Sequence, residues 1–159
     1  MSEESVVDIH AKAAGPAGTL SNFAAHDFSL DGVACASMEG FLQGLKIADP
    51  VEQKRVCGLV GEAAKKAGQR HDWRARGALW WGGREIDRFG VEYQALLDRA
   101  WRALAEKSWK FRAALAATEG ARLVHTMGKS DPRETVLTEA ELCDRLTALR
   151  AALRSSARG

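Results

Sequence analysis

The stretch LSNFAAHDFSLDGVACASMEGFLQGLK, residues 20–46, carries several local signals in one short span. In its second half, SMEGFLQGLK, the residues Met38, Phe41, Leu42 and Leu45 recur at helical spacing. Glu39, Gln43 and Lys46 stand at i, i+4 and i+7 and share another face of the same helix. Such a face is either solvated or the wall of a site. Upstream, FSLDGVACA alternates imperfectly around Asp31-Gly32. Asp-Gly between such runs is a hairpin signal, so a short β-ribbon is expected there. Ser37 is placed to cap the helix, predicted over residues 38–48.

Further along, Asp49 at an N-cap and Pro50 at the first helical position start a second helix, predicted to end near Gly68. RHDWRARGALWWGGREIDRFG, residues 70–90, is dense in arginine, tryptophan and glycine without a clear period, and reads as a structured loop. VEYQALLDRAWRALAEK, residues 91–107, is a strong amphipathic helix. Ser108 heads a shorter helix that stops near Gly120, and ARLVHT, residues 121–126, suits a short strand. Thr138 and Glu141 form a capping-box pattern ahead of Leu142, Leu146, Leu149 and Leu153. The expected architecture is mainly α with a small β-ribbon (α+β) in one domain over residues 18–153. Residues 1–17 read as a flexible segment, with AAGPAG as a breaker, and residues 154–159 as a frayed tail.

Composition narrows the function classes. A chain of 159 residues with 46% hydrophobic and 28% charged content has room for one core. A formal net charge of +2 offers little case for non-specific nucleic-acid binding. The N-terminus lacks the layout of a signal peptide, and no apolar run approaches a membrane span. Cys35, Cys57 and Cys143 form no CxxC pair, which argues against zinc and disulfides and fits a reducing cytoplasm. His10, His26, His71 and His125 are scattered, so no metal is expected. Oligomeric state stays open.

Residues Gly18, Ser21, Asn22, Phe23, Asp31, Gly32, Ser37, Glu39, Gln43 and Lys46 match, without gaps, the motif of the NADAR domain family, and the chain resembles that family over roughly residues 18–150. There are two departures. The common family version follows the glutamate with His-Tyr, where this chain has Gly40-Phe41. The family also has an aspartate close before Trp-Gly, whereas Asp131 precedes Pro132 with no tryptophan after it. The resemblance implies a YbiA-like fold and attack on an N-glycosidic bond without a cofactor. Among family activities, removal of ADP-ribose from guanine is the first expectation, with the partner an ADP-ribosylated base or related nucleotide, free or in modified nucleic acid. Hydrolysis of phosphoribosylaminopyrimidine intermediates of riboflavin synthesis is the alternative within the same chemistry. A non-catalytic module binding ADP-ribose or a nucleotide, and a purely structural helical protein, are the alternatives outside it.

N-glycoside hydrolysis needs a proton for the leaving nitrogen and a partner for the electron-poor anomeric carbon. Glu39 can give acid, base or charge stabilisation. Lys46, if its amine is unprotonated, can attack the anomeric carbon and form an imine. The two stand about 10 Å apart along an ideal helix, so a ribose fits between them with Gln43 at the middle level. The expected catalytic residues are Glu39, Lys46 and Asp131. The expected substrate contacts are Ser21, Asn22, Phe23, Ser37, Gln43, Trp80, Trp81 and Arg84. One of the two tryptophans is to stack on the base, while Arg74, Arg76 and Arg84 are positioned to hold phosphates.

Overall fold

The computed structural model describes residues 4–158. The hairpin forms where expected. β2 (Phe28–Leu30) pairs antiparallel with β3 (Val33–Cys35), and Asp31 and Gly32 hold φ of 50° and 80° at the two turn positions. Phe28, Leu30, Val33 and Cys35 face the core on alternate positions. α2 (Met38–Gly44) follows directly, with the Ser37 hydroxyl accepting from the Gly40 N–H at 3.0 Å.

Every residue of α2 is buried. It packs on α3 (Pro50–Cys57) and α4 (Gly61–Gln69). A Cβ at Gly40 would stand 2.5 Å from the Leu59 carbonyl oxygen and 2.6 Å from that of Cys57. Only glycine permits that approach, which accounts for one departure from the family motif. The single helix expected over 49–68 is therefore two. Gly58 caps α3, and the linker carbonyls are claimed from outside: Ser37 Oγ donates to Leu59 O at 2.8 Å and Ala36 N to Cys57 O at 2.9 Å.

The segment read as a loop at 70–90 contains a second hairpin, β4 (Ala78–Trp81) against β5 (Arg84–Asp87), turned at Gly82-Gly83. α5 (Val91–Lys107) buries Tyr93, Leu96, Leu97, Ala100, Trp101 and Leu104. α6 (Trp109–Ala117) is capped by Ser108, whose hydroxyl accepts from Phe111 N. α7 (Glu139–Arg158) begins with the reciprocal capping box, Thr138 N to Glu141 Oε1 at 2.8 Å and Glu141 N to Thr138 Oγ1 at 3.1 Å.

Both ends depart from expectation. β1 (Val6–Asp8) pairs in parallel with β6 (Arg122–Val124), and Ile9 is fully buried beside it. The N-terminal residues from Val6 are thus tied down, with α1 (Pro16–Thr19) packed on α6. α7 runs through the residues expected to fray, and Arg154 pairs with Glu119 at 2.8 Å. Residues 1–3 and 159 of those two segments lie outside the described residues. The described residues form an α+β domain of helices with three two-stranded sheets. No helix among the described residues is long and apolar enough to cross a membrane.

Candidate active site

The SNF loop and α2 are joined by main chain: Glu39 N donates to Asn22 O at 3.0 Å, and Phe23 N to Ser21 Oγ at 3.2 Å. This places Ser21, Asn22 and Phe23 beside the Glu39 end of the buried helix. A cleft of about 530 Å³ opens there, lined by these three residues with Glu39, Gln43 and Lys46. α4 adds Lys65 and Gln69, the chain after α4 adds Trp73 and Arg74, and the opposite wall holds His10, Lys12, His125, Lys129 and Glu134.

Glu39 is only 9% exposed, and Gln43 Nε2 donates to its Oε1 at 2.8 Å. Burial pushes the Glu39 carboxyl above the usual carboxylate range, against the pull of the Gln43 hydrogen bond and the charges of Lys46 and Lys65. Burial also lowers the Lys46 amine. Glu39 opposes that change, and the positive charges of Arg74 and Lys129 add to it. Lys46 lies two residues beyond the end of α2, its N–H donating to Gln43 O at 3.2 Å in a tight turn. It faces the same cleft as Glu39 without an ion pair between them among the described residues. The cleft therefore presents a carboxyl favoured toward its acid form and an amine favoured toward its free-base form, with space between.

Gln43 Oε1 is buried with no hydrogen-bond partner. It lies over Gly68 of α4, where a Cβ would come within 1.8 Å of it. Gly68 thus lets the amide lie flat enough to hold Glu39.

Five of the expected site residues fall elsewhere. Ser37 is fully buried, and its hydroxyl is used by the α2 cap and Leu59. Trp81 is core: it packs edge-on against Phe41 with ring centres 5.2 Å apart and donates from Nε1 to Asp31 Oδ2 at 2.8 Å. Trp80, on the other face of β4, lines a neighbouring cleft without Glu39. Arg84 pairs with Glu92 of α5 at 3.0 Å and lines neither cavity. Asp131 caps its own turn and pairs with Arg133 at 2.9 Å, also outside both. The aromatic surfaces in the main cleft are Phe23 and Trp73. Among the described residues, no group of three or more His, Cys, Asp or Glu gathers as a metal site.

The scaffold of helices and small ribbons that carries this cleft is YbiA-like in fold. The Escherichia coli protein YbiA, whose structure was solved by NMR, aligns with a TM-score of 0.63 over 98% of this chain and 89% of its own, at 20% identity. That likeness speaks to the fold. The chain belongs to the Bacteriophage protein GP30.3 family, a NADAR-family domain, whose model matches residues 14–151. It is 38% identical over 152 residues to an uncharacterized 17.1 kDa protein from the Gp30-rIII intergenic region of Enterobacteria phage T4, covering 94% of this chain and 99% of that relative.

Proposed function

We propose that the protein is an N-glycosidase that cleaves the bond between a base and ribose, removing ADP-ribose from guanine in a nucleotide or nucleic acid. The observation that carries this reading is geometric: a buried Glu39 and a half-buried Lys46 line one cleft, where burial shifts each toward its neutral form. A solvated helix face would shift neither. The surplus of cations around the cleft, Lys12, Lys65, Arg74 and Lys129 besides Lys46, suits a substrate bearing phosphates.

In the proposed reaction the base leaves with the C–N bonding pair and takes a proton from Glu39. The Lys46 amine bonds to the anomeric carbon. Opening of the furanose, with its ring oxygen protonated, gives an imine, and water then releases the sugar and returns the free amine. Gln43 orients the Glu39 carboxyl, Asn22 contacts the sugar, and Phe23 or Trp73 supplies the flat surface for the base. A cytoplasmic setting belongs to the same proposal and fits three buried free cysteines. Incubating the protein with a panel of N-glycosides, including ADP-ribosyl guanosine and phosphoribosylaminopyrimidines, and detecting by mass the released guanosine or aminopyrimidine tests it. Release from ADP-ribosyl guanosine is expected. No release from any member of the panel refutes the glycosidase.

A further inference from the structure

A second cleft of about 320 Å³ adjoins the first, and the two share Lys46 and Trp73 as a common wall. Its size is at the small end for ligand pockets, suited to one base-sized group. Ala78 and Trp80 line it together because they occupy the same face of β4, while Leu79 and Trp81 point into the core. Trp80 is held from both sides of its main chain: its N–H donates to Leu45 O at 2.8 Å, and its carbonyl accepts from Gln53 Nε2 at 2.8 Å. A half-buried indole thus stands at a fixed place with one surface toward the cleft.

Charge points the same way. Arg70 and Arg76 line this cleft, with Asp72 opposing them. Arg76 has a partner in Glu85, whereas Arg70, Lys46 and Arg74 have no ion-pair partner among the described residues. Together the two clefts gather seven Lys and Arg against three Asp and Glu, a net of +4. The chain totals +2, so everything else sums to −2. The modest overall charge conceals a positive groove on an otherwise acidic molecule.

We infer that the second cleft is a nucleotide subsite, and that the substrate is a single-stranded polynucleotide lying across both clefts. The inference rests on the first cleft being the base–ribose site. The modified nucleotide sits against Glu39 and Lys46. Its neighbour places its base on Trp80 and its phosphate against Arg70. A base reaches a recessed indole only when unstacked, which selects a single strand over a duplex.

The test is the affinity of fluorescein-labelled, unmodified single-stranded DNA and RNA of about eight nucleotides, read by anisotropy. Trp80→Ala should weaken binding by about 5-fold or more, and Trp80→Phe should restore most of it. Arg70→Gln should flatten the slope of log affinity against log salt by roughly 0.7. Lys110→Gln, an exposed charge on α6 remote from both clefts, should leave the slope unchanged. Equal affinity of wild type, Trp80→Ala and Arg70→Gln, or no binding by wild type, overturns the subsite. If no N-glycoside is cleaved yet oligonucleotide binding depends on Trp80 and Arg70, the glycosidase reading fails and the subsite stands. If ADP-ribosyl guanosine is cleaved but the oligonucleotide does not bind, the subsite alone fails.

Discussion

The shifted ionisation of Glu39 and Lys46 comes from burial more than from each other. Glu39 is the first acidic residue of a helix whose every position is covered, so its carboxyl loses water and its proton is held more tightly. Glu39→Gln preserves size and the amide contact to Gln43 while removing the acid. Turnover should drop about 100-fold or more, the scale of a positioned acid or base; unchanged turnover takes Glu39 out of the mechanism. Lys46→Arg separates two roles. A guanidinium keeps the charge but stays protonated and is a poor nucleophile, so an imine mechanism predicts near-complete loss. Borohydride added during turnover should leave a reduced sugar adduct on the peptide containing Lys46. An active Lys46→Arg variant with no adduct returns the chemistry to Glu39 and water, with Lys46 as an electrostatic contact only.

Between α2 and α4 the contact depends on a missing side chain. Gly68→Ala would bring a methyl within 1.8 Å of Gln43 Oε1, and the amide must rotate away from Glu39. Alanine in place of glycine within a helix gains up to about 1 kcal/mol, and local overpacking costs about as much or somewhat more. The two nearly cancel, so stability should change by no more than about 1 kcal/mol in chemical denaturation, while turnover falls by about 10-fold through the misplaced carboxyl. Full activity in Gly68→Ala would mean that Gln43 does not position Glu39. This element pair also shows what local sequence can reveal. The β2–β3 hairpin, the Ser37 and Ser108 caps and the α7 capping box follow from patterns a few residues wide, whereas Ser21, Asn22, Phe23, Glu39, Gln43 and Lys46 stand out as site residues only through the resemblance to the NADAR motif. The split of α3 from α4 follows from no local pattern, because it depends on Ser37 and Ala36, more than twenty residues upstream, capturing carbonyls of the linker. The β4–β5 turn was marked by Gly82-Gly83, but flanking arginines masked the alternation of its strands. Trp80 and Trp81 are adjacent, and only strand pairing decides which faces the core. The β1–β6 pair joins residues more than a hundred positions apart, beyond any local period. For the same reason His10, Lys12, His125 and Lys129 on the far wall of the cleft carry no mark in the sequence.

Across the molecule, that far wall is held by a buried ion pair. Arg88, at the end of β5 and 1% exposed, meets Glu141 of α7 through two hydrogen bonds of 2.7 and 3.1 Å, and its Nε donates to Thr135 O at 3.0 Å. Its guanidinium lies 4.8 Å from the centre of the Tyr93 ring, and the Tyr93 hydroxyl donates to Val136 O. Thr135 and Val136 line the cleft, so one buried arginine joins the second hairpin, α5 and α7 to the site. Burial alone would raise the Glu141 carboxyl, but hydrogen bonds from Arg88, Gln94 and the Thr138 N–H outweigh it and hold the pKa below the ordinary value of 4.5. A carboxyl depressed in the folded state stabilises the fold above its unfolded pKa, and that contribution is lost as pH falls through the folded pKa. Glu141→Gln leaves Arg88 buried without its counter-charge, at a cost of about 3–5 kcal/mol near pH 7. The cost should begin to shrink as pH falls below the ordinary value of 4.5, and vanish as pH falls through the lower folded pKa, where wild type loses the same interaction by protonation. Urea unfolding of both proteins from neutral to acid pH measures the difference directly. A difference that stays constant with pH would show that Glu141 acts through packing and its cap to Thr138 rather than through its charge. A difference that narrows, together with weaker ligand binding by Glu141→Gln at neutral pH, would show that the ion pair also holds the cleft wall in place.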